Sequence, residues 1–112
     1  MELKKGDIVL VQAPLASSGT EIQKTRPAVV ISPKEMAEYA KRILVIPMTS
    51  KITRIYPFEF LVKSEDLPQE SKASCDQIQT VSMKRILKKY GTLSLSEMDA
   101  LNKALKNILQ LK

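Results

Sequence analysis

Polar side chains that could hold an anion lie at the ends of three apolar runs in this 112-residue chain. Arg26 precedes one run, Thr49 and Ser50 end another, and Asp76 and Gln77 lie within or beside a third. A guanidinium group is always charged and its planar fork fits phosphate oxygens, while hydroxyl and amide groups add hydrogen bonds. Three segments that fold together could join these groups into one site. Their spacing alone is a weak signal, because strand ends are polar in most proteins.

The composition excludes several kinds of chemistry. The chain has no histidine, so any catalysis must work without a histidine acid–base pair. It has one cysteine, Cys75, which rules out an internal disulfide and a zinc site of the usual Cys/His type. We expect Cys75 to be a small core residue.

The charge balance favours an anionic partner. Lysine and arginine number 18 against 12 acidic residues, which gives a net charge of +6 and a pI of about 9.5. RNA, DNA or an acidic peptide would each satisfy this charge, and charge alone does not choose among them. No apolar run approaches the ~18 residues of a membrane helix, and the first ten residues turn polar too soon for a signal peptide. We therefore expect a soluble cytoplasmic protein.

Short runs rich in β-branched and aromatic residues predict about five strands. The run at 7–13 lacks clean alternation, which is typical of a strand with both faces covered. The run at 57–63 alternates and places Phe58, Phe60 and Val62 on one face. The predicted strands are 7–13, 27–32, 42–50, 57–63 and 73–81.

Two prolines and two polar segments limit these strands. Proline cannot donate a hydrogen bond to a sheet, so we expect Pro27 to be the first residue of its strand and Pro47 to break another. The segment 14–21 contains proline, serine and glycine and is predicted to be a loop, and 67–72 is predicted to be a turn.

A first helix is predicted over 34–41. Ser32 would cap it, Pro33 suits its first turn, and Glu35 would complete a capping box. The short segment 82–91 is also predicted to be helical, with Ser82 as its cap.

The last segment shows the clearest helical signal. Ser94 and Glu97 form a second capping box, and lysines lie on the outer face. An apolar stripe follows at the 3-4-3 spacing of an amphipathic helix. Its members are Met98, Leu101, Leu105 and Ile108. Together the elements predict an α+β fold in one domain over residues 1–112: a small β-barrel of about five to seven short strands with short helices and this C-terminal helix.

An ordered set of motifs resembles the MazF/PemK (Kid) toxins of bacterial toxin–antitoxin pairs. The resemblance covers nearly the whole chain, from Gly6 to about Leu109, and implies an SH3-like barrel that works as a homodimer. It implies a sequence-specific endoribonuclease that cuts single-stranded mRNA without a metal or other cofactor. It also implies a cognate antitoxin with a disordered acidic tail. The motifs are GDIVLV, GTEIQKTRPAVVIS, IPMTS, PFEF, CDQIQTV and GTLSLSEMDALNKAL.

The resemblance carries roles onto individual residues. Arg26 matches the arginine of the family's Arg-Pro step, Thr49 the threonine of its Thr-Ser step, and Asp76 the acidic residue before Gln-Ile. These three are the candidate catalytic residues. The candidate RNA-binding residues are Thr20, Glu21, Lys24, Ser50, Gln77 and Gln79.

Elementary chemistry fits these three positions. RNA is cut when its own 2′-hydroxyl attacks the adjacent phosphorus, which requires proton removal, charge neutralisation and leaving-group protonation. Arg26 would stabilise the phosphoryl charge and could deliver a proton, and Thr49 would hydrogen-bond a phosphate oxygen or orient the 2′-hydroxyl. Asp76 would accept the 2′-hydroxyl proton or orient Arg26, although a free aspartate, with a pKa of about 3.9, is a weak base. The identity of the general acid and base stays open.

The chain departs from the family pattern at two cationic positions. Ser74 and Gln79 stand where some relatives carry arginine, and Lys24, in a loop that is often glycine-rich in relatives, is a candidate replacement for one of them. These departures motivate one alternative, a module that binds an antitoxin without cleaving RNA. A second alternative is a gyrase poison like the CcdB toxins, but such a protein should keep a tryptophan near its C-terminus and this chain has none.

Overall fold

The structure is a computed structural model that describes residues 1–12 and 25–112. It contains seven strands, two α-helices and one 3₁₀ turn within those residues. The strands are β1 (Asp7–Gln12), β2 (Thr25–Val30), β3 (Arg42–Thr49), β4 (Glu59–Val62), β5 (Ser71–Ser74), β6 (Gln79–Ser82) and β7 (Ile86–Thr92). The helices are α1 (Lys34–Ala40) and α2 (Leu95–Leu109), and the 3₁₀ turn is Met83–Arg85.

All strand pairs are antiparallel, and the strands follow the order β4-β5-β3-β2-β1-β7, with β6 added beside β3. The predicted α+β class, with its short strands and C-terminal helix, is confirmed. Among the described residues β4 and β7 end the strand order without pairing with each other, so the sheet is a barrel only in a loose sense.

Apolar side chains of the central strands alternate between two cores. In β1, Ile8 packs into one core with α2, whereas Val9 and Val11 pack into the other with α1. Strand β2 alternates in the same way, with Val29 in the first core and Val30 in the second. The prediction that the run at 7–13 has both faces covered is therefore confirmed, although the described strand ends at Gln12.

The two proline predictions are wrong. Pro27 is the third residue of β2, not its first, and it lies opposite Leu10 of β1 where pairing with β3 has not yet begun. Pro47 does not break β3. Pairing with β6 ends at Val45 and pairing with β5 begins at Met48, so on that side of β3 no partner strand among the described residues lies opposite Pro47. On the other side, Pro47 lies opposite Ala28 of β2.

Two further segments differ from their prediction. The run 73–81 is not one strand, because a turn at Cys75 and Asp76 separates β5 from β6. The segment 82–91 is not a helix. Ser82 does accept a hydrogen bond from the Lys84 N–H, but this caps only the 3₁₀ turn, after which the chain extends as β7 and pairs with β1.

The two predicted capping boxes have opposite outcomes. Ser32 does not cap α1: its hydroxyl accepts the N–H of Leu44 instead, and Pro33 is the N-cap residue without a side-chain bond. The box of Ser94 and Glu97 is present at α2, and Glu97 also accepts the Lys63 N–H at 2.7 Å. Of the apolar stripe on α2, Leu101 and Leu105 are buried, Met98 is half-buried and Ile108 is exposed. No helix in the described residues is long and apolar enough to cross a membrane.

Candidate functional site

Antiparallel pairing brings Arg26 and Thr49 to the same part of the sheet. Ala28 lies opposite Pro47 in the β2–β3 ladder, and continuing this register by two residues places Arg26 opposite Thr49. Both side chains line a cavity of about 270 Å³ together with Ser50. The other lining residues are Pro27, Met48, Leu67, Pro68, Gln69 and Ser71.

Arg26 is held by the strand on which it lies. Its backbone pairs with Val11 of β1, and the next residues of β2, from Ala28 to Val30, are fully buried. The side chain itself is half-buried. The paired strand therefore fixes the backbone of a cationic residue that lines the cavity, and such positioning matters because an error of about 1 Å can cost about 10²-fold in rate.

Thr49 ends β3, as predicted, and presents a hydroxyl at the cavity. Its Oγ1 accepts the N–H of Lys51 at 3.2 Å, so the hydroxyl hydrogen can be donated to another acceptor such as a phosphate oxygen. Ser50 follows, is exposed, and adds a second hydroxyl to the lining.

The third polar group does not line this cavity. Asp76 is exposed in the turn between β5 and β6, and the neighbouring Gln77 donates its N–H to the carbonyl of Ser74 at 3.3 Å. Gln79 begins β6 opposite Val45 and is half-buried. The candidates Thr20, Glu21 and Lys24 lie outside the described residues.

A carboxylate that the sequence did not indicate as a site residue, Glu59, lies beside the site. Glu59 accepts hydrogen bonds from the Lys72 ammonium at 2.9 Å, from the Ser74 hydroxyl at 3.0 Å and from the Tyr56 N–H at 3.0 Å. Burial would raise the pKa of Glu59, but these hydrogen bonds and the charge of Lys72 outweigh it and hold the pKa below its ordinary value. Glu59 therefore stays ionised and is a poor proton acceptor.

Comparison with known proteins decides the family. Residues 4–109 match the family described as PemK-like, MazF-like toxin of type II toxin–antitoxin system. This chain belongs to that family. The toxin is 34% identical over 116 residues to a Mycobacterium tuberculosis (strain ATCC 25618 / H37Rv) protein named Endoribonuclease MazF9, with 97% of this chain and 98% of that protein covered.

Solved structures agree with the fold of the toxin. The M. tuberculosis toxin MazF-mt6 superposes with a TM-score of 0.78 at 25% identity and covers 95% of this chain and 98% of its own. MazF from Deinococcus radiodurans superposes with a TM-score of 0.80 at 20% identity over 98% of both chains. A mycobacterial endoribonuclease solved with its cognate antitoxin reaches 0.78 at 17% identity, covering 98% of this chain and 97% of its own. At 17% and 20% identity, the last two support the fold alone.

Position 74 is one of the two at which the chain departs from the pattern implied by the resemblance. Ser74 stands where that pattern allows an arginine, and in this toxin it is buried and donates to Glu59. The cation of this strand is instead Lys72, two residues earlier, whose side chain also reaches Glu59. A cation at position 72 can be located only once β4 and β5 are paired, so no local pattern signals it.

The sequence did not indicate one wall of the cavity, whereas it did indicate the burial of Cys75. The cavity wall formed by Leu67, Pro68 and Gln69 was predicted only as a turn, and nothing in its residue types indicated a site. Cys75 is fully buried in the core that contains α2, as predicted. Burial raises the pKa of its thiol to about 12, with the charges of Asp76 and Glu59 adding to the shift, so the thiol is not a nucleophile at neutral pH.

Proposed function

We propose that this toxin is an endoribonuclease that cleaves single-stranded mRNA at the cavity of Arg26 and Thr49. The convergence of a guanidinium and two hydroxyls on one cavity, in a chain of this family, carries the proposal. The identity to Endoribonuclease MazF9 over nearly the full length of both chains supports it. It also favours this function over the gyrase poison and over a non-cleaving module.

The proposed reaction is an internal transfer at phosphorus. A bond forms between the 2′-oxygen and phosphorus while the bond from phosphorus to the 5′-oxygen breaks. The 2′-hydroxyl proton leaves to a base and another proton reaches the 5′-oxygen, so the products are a 2′,3′-cyclic phosphate and a 5′-hydroxyl. No metal or other cofactor is needed for this balance, and we expect cleavage to persist with a metal chelator.

Arg26 neutralises the negative charge that grows on the phosphoryl oxygens, and the Thr49 hydroxyl donates to one of them. Asp76 is the proposed third catalytic residue, because Glu59 is committed to Lys72 and Ser74. Asp76 accepts the 2′-hydroxyl proton or orients Arg26. The proposed RNA contacts are Thr20, Glu21, Lys24, Ser50, Gln77 and Gln79.

The proposal extends to the setting in which the toxin works. It acts as a single toxin domain over residues 1–112, in the cytoplasm, and as a homodimer. A cognate antitoxin with an acidic C-terminal tail inhibits it by competing with RNA for the cationic cavity. The net charge of +6 supports both anionic partners.

The test is cleavage of a mixed-sequence single-stranded RNA by purified protein, read by primer extension. Arg26→Ala should slow cleavage on the order of 10²–10³-fold, the usual cost of removing one stabilising donor. Arg42→Ala is the matched control, because Arg42 is an exposed arginine at the opposite end of β3 from Thr49, and it should leave the rate within a few fold.

Two results would overturn the proposal. One is an RNA left intact by the wild-type protein. The other is cleavage of a substrate whose cut position carries a 2′-deoxy sugar, because that substrate lacks the proposed nucleophile.

A further inference from the structure

An exposed aromatic ring lies in the segment that joins β3 to β4. Tyr56 is 44% exposed, and its ring stacks on Phe58 with centroids 5.5 Å apart and planes 2° from parallel. The guanidinium carbon of Arg54 lies 5.7 Å from the centroid of Tyr56, and the ammonium of Lys72 lies 5.9 Å from it. We call Tyr56 with Phe58, Arg54 and Lys72 the aromatic platform.

The backbone at Tyr56 is held in a closed turn. Its carbonyl accepts the Glu59 N–H at 2.9 Å, and its own N–H donates to the Glu59 carboxylate at 3.0 Å. Pro57 occupies the position of the turn that favours proline. Lys72 anchors the turn from below, because its ammonium bonds both Glu59 and the carbonyl of Arg54. A ligand that stacks here meets a pre-ordered surface and pays little ordering entropy.

The aromatic platform adjoins the cavity of Arg26 and Thr49. Thr49 and Lys72 lie opposite each other in the β3–β5 ladder, and Ser71, beside Lys72, lines the cavity. Paired strands lie about 4.8 Å apart, so only one strand spacing and one lysine side chain separate Thr49 from the ring of Tyr56. The ring is therefore within reach of a nucleotide that neighbours a phosphate held in the cavity.

We propose that the aromatic platform is a base-binding subsite, in which Tyr56 stacks on an unpaired RNA base next to the phosphate held at Arg26 and Thr49. The inference rests on the proposed function and names a positioning residue for it. An aromatic face beside the exposed residue Arg54 suits single-stranded nucleic acid, because the ring takes a base while the guanidinium attracts a backbone phosphate. Lys72 is paired with Glu59, and its role in the platform is to hold the turn. Stacking of this kind supplies affinity with little base preference.

The test measures binding of a labelled RNA oligonucleotide whose cut position is 2′-deoxy, so that binding is separated from cleavage. Tyr56→Ala should weaken binding on the order of 10- to 100-fold, whereas Tyr56→Phe, which keeps the ring, should bind like the wild type. Tyr56→Leu should behave like Tyr56→Ala, because it keeps apolar bulk without an aromatic face. Tyr39→Ala is the matched control: Tyr39 is an 83%-exposed tyrosine on α1 and should bind normally.

A second measurement separates stacking from a structural role. Oligonucleotides with an abasic site at successive positions should identify one position whose base loss weakens wild-type binding as much as Tyr56→Ala does. Loss of that same base should not weaken binding by the Tyr56→Ala variant any further. A merely destabilised protein would lose affinity at every position equally, and its thermal unfolding would shift.

The outcomes separate this inference from the function on which it rests. If the wild type cuts RNA, and Tyr56→Ala binds and cuts as well as the wild type, the platform proposal is overturned while the endoribonuclease stands. If the wild type leaves every RNA intact, the proposed endoribonuclease function is overturned, and the binding measurement alone then decides the platform proposal. Equal losses in Tyr56→Ala and Tyr39→Ala would also overturn the inference, because they would show that any exposed tyrosine matters.

Discussion

The Lys72 ammonium lies 2.9 Å from a carboxylate oxygen of Glu59, and both side chains are nearly buried, with 12% and 8% exposed. This ion pair links β5 to the start of β4, beneath the ring of Tyr56. The burial of this ion pair matters for stability. Removing one partner of a buried pair strongly destabilises the folded protein, because the other charge is left buried and uncompensated.

We expect Lys72→Met to lower the free energy of unfolding by about 3 kcal/mol, because it leaves the Glu59 carboxylate buried without its cation. The double variant Lys72→Met with Glu59→Gln should lose less than the sum of the two single changes, since the charges are coupled. Urea unfolding measures both effects. The exposed pair of Lys103 and Asp99 is the control, and Lys103→Met should cost no more than about 0.5 kcal/mol. Equal effects of the two lysine changes would contradict the assigned burial.

The buried carboxylate of Asp7 should make the stability of the fold depend on pH. This carboxylate is fully buried and accepts the Lys4 N–H at 2.9 Å, the Thr92 hydroxyl at 2.9 Å and the Lys89 ammonium at 3.2 Å. Burial alone would raise its pKa, but these donors and the charge of Lys89 outweigh burial and lower the pKa below its usual value of 3.8. A lowered folded-state pKa stabilises the fold above pH 3.8, and this contribution is lost as the pH falls through the lower, folded value.

Asp7→Asn should therefore reduce the free energy of unfolding at pH 7 by about 1–3 kcal/mol, because the amide leaves buried donors unpaired. Below pH 3.8 its stability should fall less steeply than that of the wild type. Denaturant unfolding at a series of pH values tests this, with the exposed Glu35→Gln as a control that should change stability by less than about 0.5 kcal/mol at pH 7. If the free energy of unfolding of Asp7→Asn and of the wild type fell equally steeply below pH 3.8, the role assigned to Asp7 would be refuted.

We expect the thiol of Cys75 to react much more slowly in the folded chain than in the unfolded chain. Because the thiol is fully buried and its pKa is raised to about 12, the folded protein should resist a disulfide-forming dye at pH 8. In denaturant the same thiol should react fully within minutes. Rapid labelling of one thiol per chain without denaturant would show that Cys75 is accessible.

Local patterns predicted the elements whose stability is decided within a few residues of the chain. The capping box of Ser94 and Glu97 starts α2 where expected, because both partners of its hydrogen bonds lie within one turn. Within the run at 57–63, β4 alternates as predicted, with Phe60 and Val62 buried and Leu61 exposed, because a sheet buries every second side chain. Phe58 was expected on the same face, but it lies in the turn before β4 and is only half-buried.

Elements that depend on distant partners were not predictable in this way. The segment 82–91 has a helical cap at Ser82, yet most of it becomes β7 because β1 offers a strand with which to pair. Pro47 remains inside β3 because β6 and β5 leave a gap between them at that point. Ser32 has the right spacing for a cap, but its hydroxyl instead accepts a hydrogen bond from the backbone N–H of Leu44.

The same division holds for the candidate site. The sequence by itself determined that any catalysis must do without histidine, that Arg26 enters a core strand, and that the ordered motifs belong to one toxin family. Only the tertiary structure decided that Arg26 and Thr49 share a cavity and that Asp76 stays in an exposed turn outside its lining. It also decided that Glu59 and Lys72 neutralise each other beneath Tyr56. Residue type sets the charge and hydrogen-bonding capacity of each group, but the partners that use them come from strands far apart in the sequence.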